Sequence, residues 1–447
     1  MATDLTCLSA LELAALIKEG KHSSEEVVEA HLGRIESVDP AIQAWAFLDP
    51  DYARAQARIA DAARKDGKPL GPLHGVPVGV KDIIDTHDMP TESGTVLDEG
   101  RRPAKDAVVV ERLRAAGAIL LGKTVTTELA YYAPSKTRNP HDPSRTPGGS
   151  SSGSAAAVAS HMAPVAIGTQ TNGSVIRPAS FCGTVGYKPT FGLIPRTGVL
   201  AQSFHLDTIG TFGRSLGDAA LLADCLIGHD SGDPATKPVA ALNLAAAATS
   251  KAACKPKLGF VRTPVWDQAE ASTEDAFSSL VDQLDPHCVS MELPAPFETG
   301  HQLQRLLMTG GFAFNLGHYE TRGRDLLSQH MQMAINVGRE VRAHDYLHAA
   351  AMIEVFNDHL STLFETCDAI LTPAAPGAAP KGLGSTGNPA FCTLWTLCGT
   401  PAITLPLLKG DGGLPLGVQL VGPRGGDVRL MQTAAWLAAT IEGKIEA

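Results

Sequence analysis

The stretch RTPGGSSSGSAAAVASHMAPVAIGTQTNGSVIRPASFCG, residues 145–183, decides how the chain is read. It emerges from TRNPHDPSRTPGGSSSGS (137–154), a run of turn chemistry whose three prolines deny a central strand. Such a run is usually a linker. The residues after it do not begin a new domain, however: AAAVAS (155–160) starts a helix, PVAIGT (164–169) reads as a strand, and TNGS (171–174) is a second Gly/Ser turn before VIRPAS (175–180). Two small-residue loops therefore sit on adjacent α/β units.

Working outward, the first third alternates helical and strand patterns, the mark of a layered α/β domain. Ser9-x-x-Glu12 and Ser23-x-x-Glu26 are capping boxes that each open a helix, and Gly20 is placed to end the first. An alanine-rich helix is predicted around 51–66. VPVGV (76–80) suits a buried strand ending at Lys81, DAVVVERLRAAG (106–117) has helical periodicity, and AILLG (118–122) is an apolar strand. Between 226 and 365 the composition turns helical, and this stretch is predicted as a variable helical insertion. DAILTP (368–373), PAITLPL (401–407) and PLGVQLVG (415–422) read as closing strands, with a terminal helix around 427–442. The pattern predicts a single domain over 1–447: N-terminal helices (1–66), core (67–225), insertion (226–365), closing strands and helix (366–447).

Composition bounds the function. With 447 residues, 44% hydrophobic and 19% charged, the chain is globular and enzyme-sized. A formal charge of −10 disfavours nucleic acid and acidic lipid as partners. No segment reaches the roughly 20 apolar residues of a membrane span, and the N-terminus lacks a basic-then-apolar leader pattern, which predicts a cytosolic protein. Eight cysteines show no C-x-x-C pair or framework spacing, so they read as reduced thiols packed as small hydrophobes.

Three motifs are decoys. Gly117-AILL-Gly122-Lys123-Thr124 fits the Walker A letters, but its intervening residues are themselves the apolar strand and the helix precedes it, the reverse of a phosphate loop. Gly149-Ser150-Ser151-Ser152-Gly153 fits the G-x-S-x-G elbow with Ser151 central, yet proline-rich turns stand where the elbow needs a strand. His344 and His348 share a helix face, but no Glu of H-E-x-x-H and no third ligand accompanies them.

Lys81, Ser150 and Ser174 offer more. A lysine at the end of a strand that is apolar on both faces has its charged form disfavoured, and a neutral amine is a base that can activate a serine. The bland reading is a lysine that reaches solvent or pairs with Asp82, beside loops that serve only as turns. GPLHGVPVGVKD (71–82), DAVVVERLRAAGAILLGKT (106–124), RTPGGSSSGSAAAVA (145–159), GTQTNGSVIRPASFCGTVGYKPTFG (168–192), LDTIG (206–210) and PLGVQLVGP (415–423) tip the balance. In order and spacing these strings resemble the amidase-signature hydrolases, over nearly the whole chain except its variable middle.

The resemblance implies a three-layer α/β/α sandwich around one large mixed, twisted sheet. It implies Lys81 as neutral terminal base, Ser150 as bridging serine held by a cis peptide, and Ser174 as nucleophile. The backbone N–H groups of Thr171, Asn172, Gly173 and Ser174 would form the oxyanion hole, with Ser151, Gln170 and Arg177 as substrate or support residues, Arg177 matching an arginine that assists carboxylate recognition in some relatives. No metal and no cofactor are expected. Ser152 and Asn172 stand where many relatives have glycine, and Gln170 where aspartate is frequent. The implied activity is amide-bond hydrolysis through an acyl-enzyme by a monomer or homodimer, on small aryl amides or on carbamates including urethanes, with possible esterase side activity. The alternative is the glutaminase-type A subunit of a tRNA-dependent amidotransferase; the departures at Ser152, Gln170 and Asn172 favour the stand-alone enzyme.

Overall fold

Local chemistry starts the N-terminal helices where the sequence predicts. The Ser9 and Ser23 side chains accept from the backbone N–H of Glu12 and Glu26, and both glutamates reach back to the cap N–H, opening helices Ala10–Lys18 and Ser24–Ile42. Asp49 caps Pro50–Lys65, whose first residue is a proline that needs no N–H there. The computed structural model describes residues 4–250 and 255–443.

Among the described residues eleven strands form one sheet: β1 (Trp45–Leu48), β2 (Pro77–Lys81), β3 (Ile119–Thr124), β4 (Val165–Gln170), β5 (Val185–Lys188), β6 (Thr208–Gly213), β7 (Leu258–Val261), β8 (Cys288–Met291), β9 (Ala369–Pro373), β10 (Ala402–Lys409) and β11 (Pro415–Val421). Their order is β1-β3-β2-β4-β6-β5-β10-β11-β9-β7-β8. β3, β2 and β4 run parallel, as do β9, β7 and β8, while the strands between pair antiparallel. The sheet is mixed, and helices cover both faces. Period-two alternation divides its side chains between two cores: Val78, Val80, Leu120, Val165 and Ile167 pack with Val109, Leu113 and Leu222 on one face, whereas Ile119, Leu121 and Ala166 pack with Val28, Leu32 and Val158 on the other. This is the α/β/α sandwich.

The stretch 226–365 departs from the helical expectation. It does hold long helices, Gly300–Gly323 and Ala343–Leu363 among them, but it also supplies β7 and β8, which extend the same sheet beyond β9. LGFV and CVSM are four residues each, too short for a periodic signal, and β8 is an edge strand with Val289 half exposed.

The Walker-like letters lie in β3. Gly122 passes so close to β1 that a Cβ would stand 2.3 Å from the Phe47 carbonyl oxygen. Lys123 Nζ, fully buried, donates to Pro90 O (3.1 Å) and Thr91 Oγ1 (2.6 Å) and pairs with Asp82 at 3.2 Å. The seven described cysteines are free thiols, all but Cys7 and Cys225 buried; Cys254 lies outside the described residues. No helix among the described residues is long and apolar enough to cross a membrane.

Candidate active site

Parallel pairing sets Val80 of β2 opposite Ile167 of β4, so both strands deliver their C-terminal ends to one edge of the sheet. Lys81 is fully buried there, its Nζ 2.8 Å from both Ser150 Oγ and Thr169 Oγ1. Burial pushes this amine well below the ordinary lysine range; only an ionised Asp207 would oppose that shift. Asp82, the carboxylate that the bland reading would pair with Lys81, is engaged by Lys123 instead.

The first Gly/Ser loop is tied down on every side. Gly148 has φ +85°, and a Cβ on it would stand 2.8 Å from Pro178 Cα. The Gly149–Ser150 peptide is cis. Gly149 O accepts from Arg177 Nη2 at 2.7 Å, and Ser150 O accepts from Thr127 N at 3.3 Å. The helix Ser152–Ala159 follows directly, with Gly153 packed against Ala44 O and Val125 N. Ser151, central in the elbow reading, is buried and joined to β4: its hydroxyl donates to Thr169 O (3.2 Å) and accepts from Thr169 N (3.3 Å). Ser152 Oγ donates back to Gly148 O at 2.8 Å.

The second loop turns from β4 into the helix Ile176–Cys182. Gln170 Oε1 accepts from Val175 N (2.8 Å) and Ile176 N (3.0 Å), serving the helix start that lacks a cap of its own, while its Nε2 donates to Thr396 Oγ1 (2.9 Å). Asn172 Oδ1 accepts from Thr393 Oγ1 at 2.8 Å, and Asn172 O accepts from Thr396 Oγ1 at 2.5 Å, so helix Ala390–Leu397 holds the turn from outside. Asn172 does not take a positive φ, so this turn does not need the glycine that many relatives carry here. Among the described residues, the N–H groups of Thr171, Asn172, Gly173 and Ser174 and the Ser174 hydroxyl have no hydrogen-bond partner.

These groups meet in a cavity of about 20 Å³ lined by Ser150, Thr171 through Ser174 and Arg177, and walled by Tyr131, Tyr132, Met308 and Phe312. Tyr131 stacks edge-on against Phe312, with centroids 4.8 Å apart. Arg177 is buried with Nε and Nη1 unpartnered, an arrangement that calls for an acceptor from outside the described chain. Thr171 and Gln202 also line a second cavity of about 810 Å³, floored by Ile83, Val199 and Ile209 and rimmed by the exposed Phe204, Phe314 and Leu347.

The family model described as Amidase matches residues 26–431. This chain belongs to the amidase-signature family. It is 36% identical to the A subunit of the glutamyl-tRNA(Gln) amidotransferase of Salinispora arenicola, over 98% of each chain. The corresponding A subunit of Thermobifida fusca is 33% identical, with 99% of this chain and 97% of the relative covered. Among solved structures, the peptide amidase of Stenotrophomonas maltophilia superposes with a TM-score of 0.84 at 29% identity, covering 98% of this chain and 97% of the other. The 6-aminohexanoate cyclic dimer hydrolase gives 0.86 at 27% identity, over 98% of both. Members of the family cleave amide C–N bonds, the chemistry expected of these loops.

The structure thus gathers Lys81, Ser150 and Ser174 with the Thr171–Ser174 backbone, and places Ser151 and Gln170 as scaffold. Sequence reasoning passed over Thr169, the second partner of Lys81, and over Asp207 and Gln202, which hold Thr171. Thr169 stands two residues along the strand from Ile167, and LDTIG carries Asp207 in plain sight, but nothing local tells which loop an isolated polar residue will meet.

Proposed function

We propose that this chain hydrolyses an amide through an acyl-enzyme on Ser174, with Ser150 passing the proton to Lys81. The observation that carries this reading is the buried 2.8 Å contact between Lys81 Nζ and Ser150 Oγ, with no carboxylate among the described residues in hydrogen-bond reach of the amine. Ser174 attacks the carbonyl carbon, its proton moves to Ser150 Oγ, and that of Ser150 moves to Lys81 Nζ. The oxyanion gathers the unpartnered N–H groups of the 171–174 turn, where a lost donor costs about 3–4 kcal/mol. The relay then runs backward to protonate the leaving nitrogen, and water releases the acyl group from Ser174.

For the substrate, the curated relatives weigh towards glutaminase chemistry within an amidotransferase, with partner subunits, ahead of the small aryl amides and carbamates suggested by Ser152, Gln170 and Asn172. Arg177, buried with two unpartnered nitrogens, suits a carboxylate-bearing acyl group such as that of glutamine. A stand-alone enzyme for amides with an apolar amine part is favoured by one observation, the 810 Å³ cavity that shares Thr171 with the smaller one. The deciding experiment assays the purified chain without ATP against glutamine, alkyl and aryl amides and a carbamate, then repeats it with candidate partner subunits. Glutamine hydrolysis that appears or rises with partners supports the amidotransferase reading, and turnover of anilides by the chain alone supports the other. No acyl-enzyme on Ser174 with any of them overturns both.

A further inference from the structure

Around Thr171 the hydrogen atoms can be counted. Thr171 Oγ1 lies 2.6 Å from Asp207 Oδ1 and 2.7 Å from Gln202 Oε1. The Gln202 amide cannot be turned over, because its Nε2 donates to Leu129 O at 2.6 Å and a flip would set two oxygens face to face at that distance. A hydroxyl has one proton, and here it faces two oxygens. One of the two short contacts must therefore be supplied with a proton from the other side. Gln202 Oε1 has none to give, which leaves Asp207.

We propose that Asp207 is held as a neutral carboxylic acid, a positioning residue that donates to Thr171 and so fixes the turn expected to receive the oxyanion. The chain then runs Asp207 Oδ1–H to Thr171 Oγ1, Thr171 Oγ1–H to Gln202 Oε1, and Gln202 Nε2–H to Leu129 O. Asp207 Oδ2 remains the acceptor for Gln202 N (2.8 Å) and Ser203 N (2.9 Å), so one oxygen gives and the other receives. The surroundings agree. Burial raises the Asp207 carboxyl above its ordinary range, against the lowering effect of its hydrogen bonds and of Arg196. Arg196 offers little compensation: its guanidinium is bidentate to Asp233 and reaches only the backbone oxygen of Asp207 at 3.3 Å. The other ionisable groups facing this corner are Lys81 from β2, Tyr346 from helix Ala343–Leu363, whose ionisation burial opposes, and the half-buried His205.

The consequence bears on catalysis and rests on the function proposed above. Moving the acid proton from Asp207 to Lys81 would leave the total proton count unchanged but would abolish the base and set an anion one hydroxyl away from the oxyanion turn. Keeping it on Asp207 leaves Lys81 neutral and the turn free of opposing charge.

Asp207→Asn and Asp207→Ala test this. Asparagine supplies an N–H where the acid supplies O–H and an oxygen where Oδ2 accepts, so it should restore most of what alanine loses: a kcat about 100-fold down for Asp207→Ala with KM little changed, against about tenfold or less for Asp207→Asn. The acidic limb of kcat/KM should stay where it is in Asp207→Asn, because no charge was removed. The infrared difference between wild type and Asp207→Asn should show the loss of a protonated-carboxyl band. A limb displaced to lower pH, the loss of a carboxylate band instead, or an asparagine variant as inactive as alanine or unable to fold would each overturn the proposal. If wild type shows no acyl-enzyme at Ser174, the proposed function falls, while the infrared measurement still decides where the proton sits.

Discussion

Among the described residues Lys81 meets two hydroxyls and no carboxylate, while its sequence neighbour Asp82 is taken by Lys123. That arrangement makes its protonation the pH control of the reaction. A free lysine titrates near pH ~10.4, and burial lowers Lys81 well below that. The base must be neutral, so kcat/KM should fall as pH drops through the lowered value and level off above it, and the limb should vanish from whatever residual activity Lys81→Ala retains. A limb that persists unchanged in Lys81→Ala would assign the titration to another group. Because the relay acts as a unit, Ser174→Ala, Ser150→Ala and Lys81→Ala should each cost orders of magnitude in kcat, and the Lys81→Ala/Ser174→Ala double variant should be no worse than roughly the poorer single. Multiplied losses would contradict the coupling.

At the scale of elements, β3 shows how a nucleotide-binding pattern becomes a strand. Gly122 is there because the Phe47 carbonyl leaves no room for a side chain, and Lys123 because its amine bridges Asp82, Pro90 and Thr91 across the sheet end. Burial still dominates the Asp82 carboxyl, pushed up to about 6 despite the lysine beside it. Lys123→Ala would leave that carboxyl buried and unpaired, and should destabilise the chain by about 3–5 kcal/mol in denaturant unfolding. Adding Asp82→Asn should recover part of the loss, and ATP should not raise the melting temperature of wild type. Stabilisation by ATP would reinstate the phosphate-loop reading, and a Lys123→Ala chain as stable as wild type would remove the Lys123–Asp82 pair from the stability of the fold. The letters G-K-T were equal evidence for both; the order of helix, strand and glycine around them was legible in the sequence and decided correctly.

At the scale of the whole molecule, the 810 Å³ cavity belongs to no single segment: its floor comes from β6 and the chain after β2, one wall from residues 196–208, the other from the helices between 300 and 347. If it houses the apolar amine part of a substrate, Ala201→Trp, at an exposed wall position that tolerates bulk, should raise KM for an N-aryl amide several-fold while leaving kcat/KM for a primary amide such as glutamine unchanged. Equal effects on both substrates would remove the cavity from catalysis. Local sequence was enough to predict the helix starts at Ser9 and Ser23, a buried strand ending at Lys81, a strand over 164–169, and the two Gly/Ser loops. Each of these is written in local chemistry: a cap, a β-branched run, a glycine where the backbone must pass close to a neighbour. The rest depends on contacts between segments far apart in the chain. β7 and β8 are strands because a sheet edge was there to receive four-residue segments with no period of their own. Thr169, Gln202 and Asp207 matter because of what stands opposite them, and residues that meet across 31 to 88 positions of chain share no local signal. Only the packed fold brings one threonine hydroxyl between two oxygens and so requires a proton on Asp207.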